Sequence, residues 1–266
     1  MSGLVSDGVS SQPSMDFIRT AELEGGAILR VTINRPKANI LDRDVIEALT
    51  DFFESVKASA RIKAVILEGA GEHFSFGASV QEHRLDQVEG MLKRFHDLLR
   101  CIAKSGVIVL AAVRGMCLGG GLELAAFCQR IFAQPESKFG QPEIALGVFA
   151  PVASLFLRDR VGAAHADDLL LTGRIVDAEE ALKMGLIDEL SDDSEQSALA
   201  WVTEHLLPGS ASSLRFATRA ARFESMQRFE QHIGGIEKLY LEELMKTPDA
   251  SEGLEAFLKK RQPKWS

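Results

Sequence analysis

Apolar residues recur along this chain at two periods. Residues 27–33, Ala-Ile-Leu-Arg-Val-Thr-Ile, are β-branched and alternating, which predicts a strand. Asn34, Arg35, Pro36 and Lys37 break it. Val45, Ile46, Leu49, Phe52, Phe53 and Val56 then fall at helical spacing behind Asp42, a candidate N-cap. Residues 64–67 predict a short buried strand, 68–73 a loop, and about 88–102 an amphipathic helix. A second apolar run over 107–113 ends at Arg114 and Gly115. A helix then starts among glycines 119–121 and runs to about Cys128, and 130–133 reads as a further strand. Strands alternating with long helical segments predict an α/β fold with mostly parallel pairing, because a parallel crossover needs a helix-length connection.

Beyond Pro151 the pattern is almost wholly helical, with a polar break over 191–197. We divide the chain into a tail over 1–15, a core over 16–206 and a helical C-terminal subdomain over 207–266. Leu214, Phe216, Ile233, Ile236, Leu239, Leu241 and Leu244 in that subdomain need a partner surface, either the core or another subunit. The first fifteen residues lack the basic and apolar regions of a signal peptide and read as a flexible polar tail.

Composition removes several classes of function. At 266 residues, 46% hydrophobic and 26% charged, the chain is neither disordered nor fibrous. Its 30 Lys+Arg against 38 Asp+Glu leave a net charge of -8, which argues against general nucleic-acid binding. Cys101, Cys117 and Cys128 show no C-x-x-C spacing, and the six histidines form no H-E-x-x-H pair. Neither a disulfide framework nor a metal site is expected. No apolar run reaches the roughly 18 residues of a membrane helix. These features together lead us to expect a cytoplasmic protein without membrane contact.

Three segments carry candidate chemistry. Residues 113–124, Val-Arg-Gly-Met-Cys-Leu-Gly-Gly-Gly-Leu-Glu-Leu, run from a strand through three glycines into a helix. Such a turn lets backbone N–H groups approach an anion or a developing oxyanion, although it equally serves tight packing. Glu123 lies in the first turn of that helix and Glu143 follows Pro142 in Gln-Pro-Glu. Each alone suits a helix start. As a pair at strand ends they suit a site of an α/β fold. Residues 73–80, His-Phe-Ser-Phe-Gly-Ala-Ser-Val, form a loop after the buried strand.

Together these segments resemble the crotonase (enoyl-CoA hydratase/isomerase) superfamily from about Phe17 to the C-terminus. The resemblance is carried by 34–38, by Phe76-Gly-Ala78, by 119–125 and by Phe139-Gly-Gln-Pro-Glu-Ile-Ala-Leu-Gly147. Leu171-Thr-Gly173, with Ala178, Ala181, Gly185 and Leu186, and 251–261 extend it. It implies an α/β fold: a spiral of β-β-α units with a helical C-terminal trimerisation region, assembled as a homotrimer or homohexamer. It implies that the N–H groups of Ala78 and Gly120 polarise a thioester carbonyl and that Glu123 and Glu143 are the acid/base carboxylates. Ala38, Phe76 and Val80 would touch the coenzyme A moiety, and Lys37, Phe257 and Lys260 its nucleotide end. The substrate would be an acyl-CoA, with no further cofactor.

Some positions depart from the common pattern. Ser79 stands where ordinary hydratases carry an acid, Phe76 where they carry a small residue, and Gly147-Val-Phe-Ala-Pro-Val-Ala-Ser154 replaces a glycine-rich segment. Together with 39–42 and 74–80 these resemble the cyclic dienoyl-CoA hydratases. That implies water addition to cyclohexa-1,5-diene-1-carbonyl-CoA, giving 6-hydroxycyclohex-1-ene-1-carbonyl-CoA, in a pocket lined by Phe76 and Phe149. Glu123 would deliver hydroxide and Glu143 the proton. A general 2-enoyl-CoA hydratase or an enoyl-CoA isomerase is the alternative. His83 and Arg84 are expected on the surface, and Cys117 as small packing.

Overall fold

In the computed structural model residues 17–266 are described, so the tail expected over 1–15 lies outside the described residues. Strand β1 (Ile18–Leu23) pairs antiparallel with β2 (Ile28–Ile33). β1 carries mostly exposed side chains and lies at the sheet edge, so no apolar alternation marks it. Helix α1 (Arg43–Ala58) starts where expected, with the Asp42 carboxylate accepting from the Val45 N–H at 3.2 Å. Next come β3 (Ala64–Gly69), α2 (Val88–Ser105), β4 (Ile108–Val113), β5 (Met116–Leu118) and α3 (Gly120–Phe127).

The large sheet has the order β1-β2-β3-β4-β6-β9, with β6 at Arg130–Ala133 and β9 at Glu189–Leu190. All its pairings after β1 are parallel. Alternate residues of each strand serve opposite faces. Val65 and Leu67 pack with Leu49 of α1 and Leu98 of α2. Ala64 and Ile66 pack with Ala198 and Val202 of α6 (Ser194–His205). A strand buried on both faces reads as an unbroken apolar run, as these do.

A small second sheet joins β5 to β7 (Lys138–Gly140) and β8 (Ile175–Asp177), and single bridges Leu41–Ala78 and Ser75–Cys117 extend the same theme. The chain thus repeatedly lays down a large-sheet strand, a short second-sheet pairing and a helix. This is the β-β-α spiral that the resemblance implied. The short strands escape sequence reading because three residues carry no measurable period.

Helix α4 (Ala153–Thr172) contains a non-helical Gly162, and α5 (Ala178–Lys183) follows β8. The polar break over 191–197 is the start of α6, where Asp193 accepts from the Gln196 N–H at 3.0 Å. Beyond it run α7 (Ala211–Ala221), α8 (Phe223–Lys238) and α9 (Pro248–Leu258). The Arg215 guanidinium of α7 donates to the carbonyls of Ser105, Val56 and Ser59, tying down the C-terminal ends of α2 and α1. Phe229 and Ile233 of α8 enter the main core, so part of the partner surface required by 207–266 is the core itself. Phe216, Phe223 and Leu239 remain exposed.

Candidate active site

The loop after β3 is fixed by buried polar contacts. Asn39, with φ of 47°, donates from Nδ2 to the carbonyls of Ala70 and His73. Ser75 Oγ donates to the Asn39 carbonyl at 2.7 Å and accepts from the Gly77 N–H at 3.0 Å. The Ser75 N–H and carbonyl then pair with Met116 and Leu118 of β5. These bonds set the 76–78 segment beside the glycine turn that opens α3.

Glycine is required at that contact. Gly77 has φ of 99°, and a Cβ there would lie 2.8 Å from the Leu118 carbonyl oxygen and 3.0 Å from the Gly120 nitrogen. A Cβ on Gly120 would lie 3.1 Å from the Ala78 nitrogen. Gly120 is the first residue of α3, so its N–H has no acceptor within the helix. The N–H groups of Ala78 and Gly120 are therefore neighbours beside a helix N-terminus, an arrangement suited to a developing oxyanion.

Glu123 lies deeper in α3 and is buried. Its carboxylate does not serve its own helix. It reaches the start of α4 and accepts from the Ala153 N–H at 2.7 Å. Burial pushes this carboxyl up to about 7, and hydrogen bonds from the Ala153 and Val152 amides pull in the opposite direction.

Glu143 sits on a 3₁₀ turn, Pro142–Leu146, directly after β7. A Cβ on Gly119 would lie 2.7 Å from its Oε1, so this carboxylate touches the glycine turn. The Gln141 amide, oriented with its NH₂ toward Glu143, donates to both oxygens at 3.2 and 3.0 Å. Burial, and then the charge of Glu123, push the Glu143 carboxyl up to about 8. The two carboxyls thus resist ionising together near neutral pH, and Glu143 is the one that holds a proton better.

Glu123, Glu143, Ala78 and Gly120 all line one cavity of about 750 Å³, within the range of small-molecule sites. Ala38, Phe76, Val80 and Phe257 line it as well. Lys37 and Lys260 do not: both are exposed and outside its wall, while Arg35 and Arg261 supply the cationic lining. Arg35 is held by Asp42 at 2.6 Å and Arg261 by Glu252. His83 is buried on the cavity wall, with Nδ1 2.8 Å from the Ser79 carbonyl, contrary to the surface position expected for it. Its place in a 3₁₀ turn, Val80–His83, brings it back under the loop. Cys117 is fully buried in the core. Sequence reading missed Gln141, Tyr240 and the two arginines. Gln141 lies two positions before Glu143 in the same Gln-Pro-Glu stretch, whereas Tyr240 carries no local signal.

A family profile described as Enoyl-CoA hydratase/isomerase matches residues 24–266. The chain belongs to the enoyl-CoA hydratase/isomerase family. It is an enzyme of that family's hydratase type. It is 52% identical over 240 residues to the cyclohexa-1,5-dienecarbonyl-CoA hydratase of Thauera aromatica, covering 90% of this chain and 93% of that protein. It is 31% identical to the short-chain-enoyl-CoA hydratase of Clostridium acetobutylicum over 89% of this chain and 93% of that protein. Among solved structures, an enoyl-CoA hydratase from Mycobacterium avium superposes with a TM-score of 0.84 at 27% identity, covering 94% of this chain and 99% of that one. Among the described residues of this family member, no helix is long and apolar enough to cross a membrane.

Proposed function

We propose that the chain hydrates a cyclic conjugated dienoyl-CoA, converting cyclohexa-1,5-diene-1-carbonyl-CoA to 6-hydroxycyclohex-1-ene-1-carbonyl-CoA. The observation that carries this reading is the 52% identity to a hydratase of that name, set beside a cavity lined by Glu123, Glu143, Ala78 and Gly120. The aromatic pair Phe149 and Tyr240, packed edge-to-face with ring centroids 5.1 Å apart, gives the cavity a stiff aromatic wall against which a six-membered ring could pack.

In this reading the thioester oxygen sits against the N–H groups of Ala78 and Gly120, each worth about 3 kcal/mol to the developing negative charge. Glu123, the carboxyl favoured as an anion by the α4 amides, takes a proton from water as hydroxide adds to the carbon β to the thioester. The resulting dienolate takes its proton from Glu143 at the far end of the diene. Water is consumed, no redox change occurs, and Glu123 and Glu143 exchange roles in the reverse reaction. Ala38, Phe76, Val80 and Phe257 would hold the coenzyme A moiety, with Arg35 and Arg261 toward its phosphates. The exposed Phe216, Phe223 and Leu239 fit assembly into a homotrimer or homohexamer.

The test is ultraviolet absorbance and product mass with cyclohexa-1,5-diene-1-carbonyl-CoA and, separately, crotonyl-CoA. Gain of one water on the diene with little on crotonyl-CoA is expected. Fast crotonyl-CoA hydration with an inert diene would make this a general 2-enoyl-CoA hydratase.

A further inference from the structure

Tyr240 is the single tyrosine of the sequence and is 1% exposed. It lies in a π-helical turn, Leu239–Glu243, that continues α8, a distortion frequent at functional sites. Its ring is well packed, edge-on to Phe149 and among Val88, Leu92 and Val148. Its hydroxyl is enclosed as well, but unpaired. Among the described residues no protein group forms a hydrogen bond with Oη, although Tyr240 lines the cavity that Glu123, Glu143, Ala78 and Gly120 also line.

An unpaired buried hydroxyl is unfavourable, and a phenylalanine would fill the same space without that cost. Because Tyr240 lines the cavity, a group received there could complete the hydroxyl. The reacting portion of a hydratase substrate offers only two oxygens. The thioester oxygen has Ala78 and Gly120. The oxygen that adds to the double bond has an acceptor in Glu123 but, so far, no donor.

We propose that Tyr240 is a catalytic residue that donates a hydrogen bond from Oη to the adding oxygen, the water in hydration and the substrate hydroxyl in dehydration. The proposal rests on the hydratase reading above and deepens it. Burial and the nearby charges of Glu143 and Glu123 keep the phenol protonated, so it remains a donor throughout the neutral range. A water held between a phenol donor and a carboxylate acceptor keeps a lone pair for carbon. That orientation is what an ordinary aliphatic wall would not provide.

The experiment uses the full chain and the Tyr240→Phe variant, with two ligand pairs measured by calorimetry. One pair is 6-hydroxycyclohex-1-ene-1-carbonyl-CoA and cyclohex-1-ene-1-carbonyl-CoA; the other is 3-hydroxybutyryl-CoA and butyryl-CoA. We expect the variant to bind the hydroxylated member of the preferred pair about tenfold more weakly, the usual scale of one such bond, and the deoxy member within twofold. Hydration kcat/KM should fall at least tenfold. The Tm should hold or rise, because an unpaired buried hydroxyl has been removed. Equal losses on both members, no loss on the hydroxylated one, or a wild-type protein with no hydroxyl preference in either pair would overturn the proposal. Preference for the open-chain pair with the tyrosine effect intact would instead overturn the ring substrate alone.

Discussion

Replacing Glu143 with Gln keeps the side chain's shape and removes its charge. Burial and the Glu123 charge raise the Glu143 carboxyl from 4.5 to about 8. Because one pH unit of displacement corresponds to about 1.36 kcal/mol, full conversion would set nearly 5 kcal/mol against the ionised form. The residue is only half-buried, and solvent screening reduces the realistic figure to about 2 kcal/mol. The folded chain holds this proton more tightly than the unfolded chain does. Its contribution to stability is therefore complete below about pH 4.5 and is lost as pH rises through about 8. The Gln variant lacks that slope. Its Tm relative to wild type should climb between pH 5 and pH 9 by about 4–8 °C, taking about 2–4 °C per kcal/mol for a chain of this size. The same variant should lose about 10²–10⁴ in hydration kcat, the usual worth of an acid/base group. Calorimetric melts at pH 5, 7 and 9 on both proteins measure the first effect, and turnover of the diene the second. A Tm difference that stays flat or shrinks with pH would refute the view of Glu143 as an acid held against its solvation.

Other consequences follow from the same geometry. The kcat/KM of the wild-type protein should be bell-shaped, falling below about pH 7 as Glu123 takes a proton and above about pH 8 as Glu143 loses one; a stopped-flow profile over pH 5–10 measures it. Gly77→Ala should reduce kcat by about 10²–10³, because its Cβ would drive apart the segments bearing the two amides. Gly71→Ala, at φ of 75° with open space around it, should cost only about 1 kcal/mol of stability and leave turnover intact, as paired melts and rates will show. Phe149→Ala should cut the preference for ring over open-chain substrate by roughly 10–200-fold, read as the ratio of the two kcat/KM values.

Much of the site was legible because its parts are local. A run of three glycines before an apolar helix, a Pro-Glu after a strand and an Asp before a helical period each specify a backbone conformation within a few residues. The structure accordingly starts α3 at Gly120, sets Glu143 on a turn directly after β7 and caps α1 with Asp42. Direction was less legible. Lys37 and Arg35 stand two positions apart in one loop, and Arg35, which pairs with Asp42 and Asp44 and stacks on Phe17, is the one that lines the cavity. Lys260 and Arg261 differ in the same way, with Glu252 holding the arginine.

The amino-acid sequence by itself determined the alternation of strands and helices, the two glycine turns and the identity of the paired glutamates. Those features follow from side-chain period and local steric preference. Tertiary structure alone decided that Ala78 meets Gly120, that Glu123 spends one oxygen on the start of α4 and that Glu143 feels its charge. It also placed Tyr240, from the far end of the chain, on the wall of the same cavity with its hydroxyl unpaired. Such contacts join segments distant in sequence. Their geometry is set by how the two sheets and the C-terminal helices pack, a quantity summed over the whole core and not written at any one position.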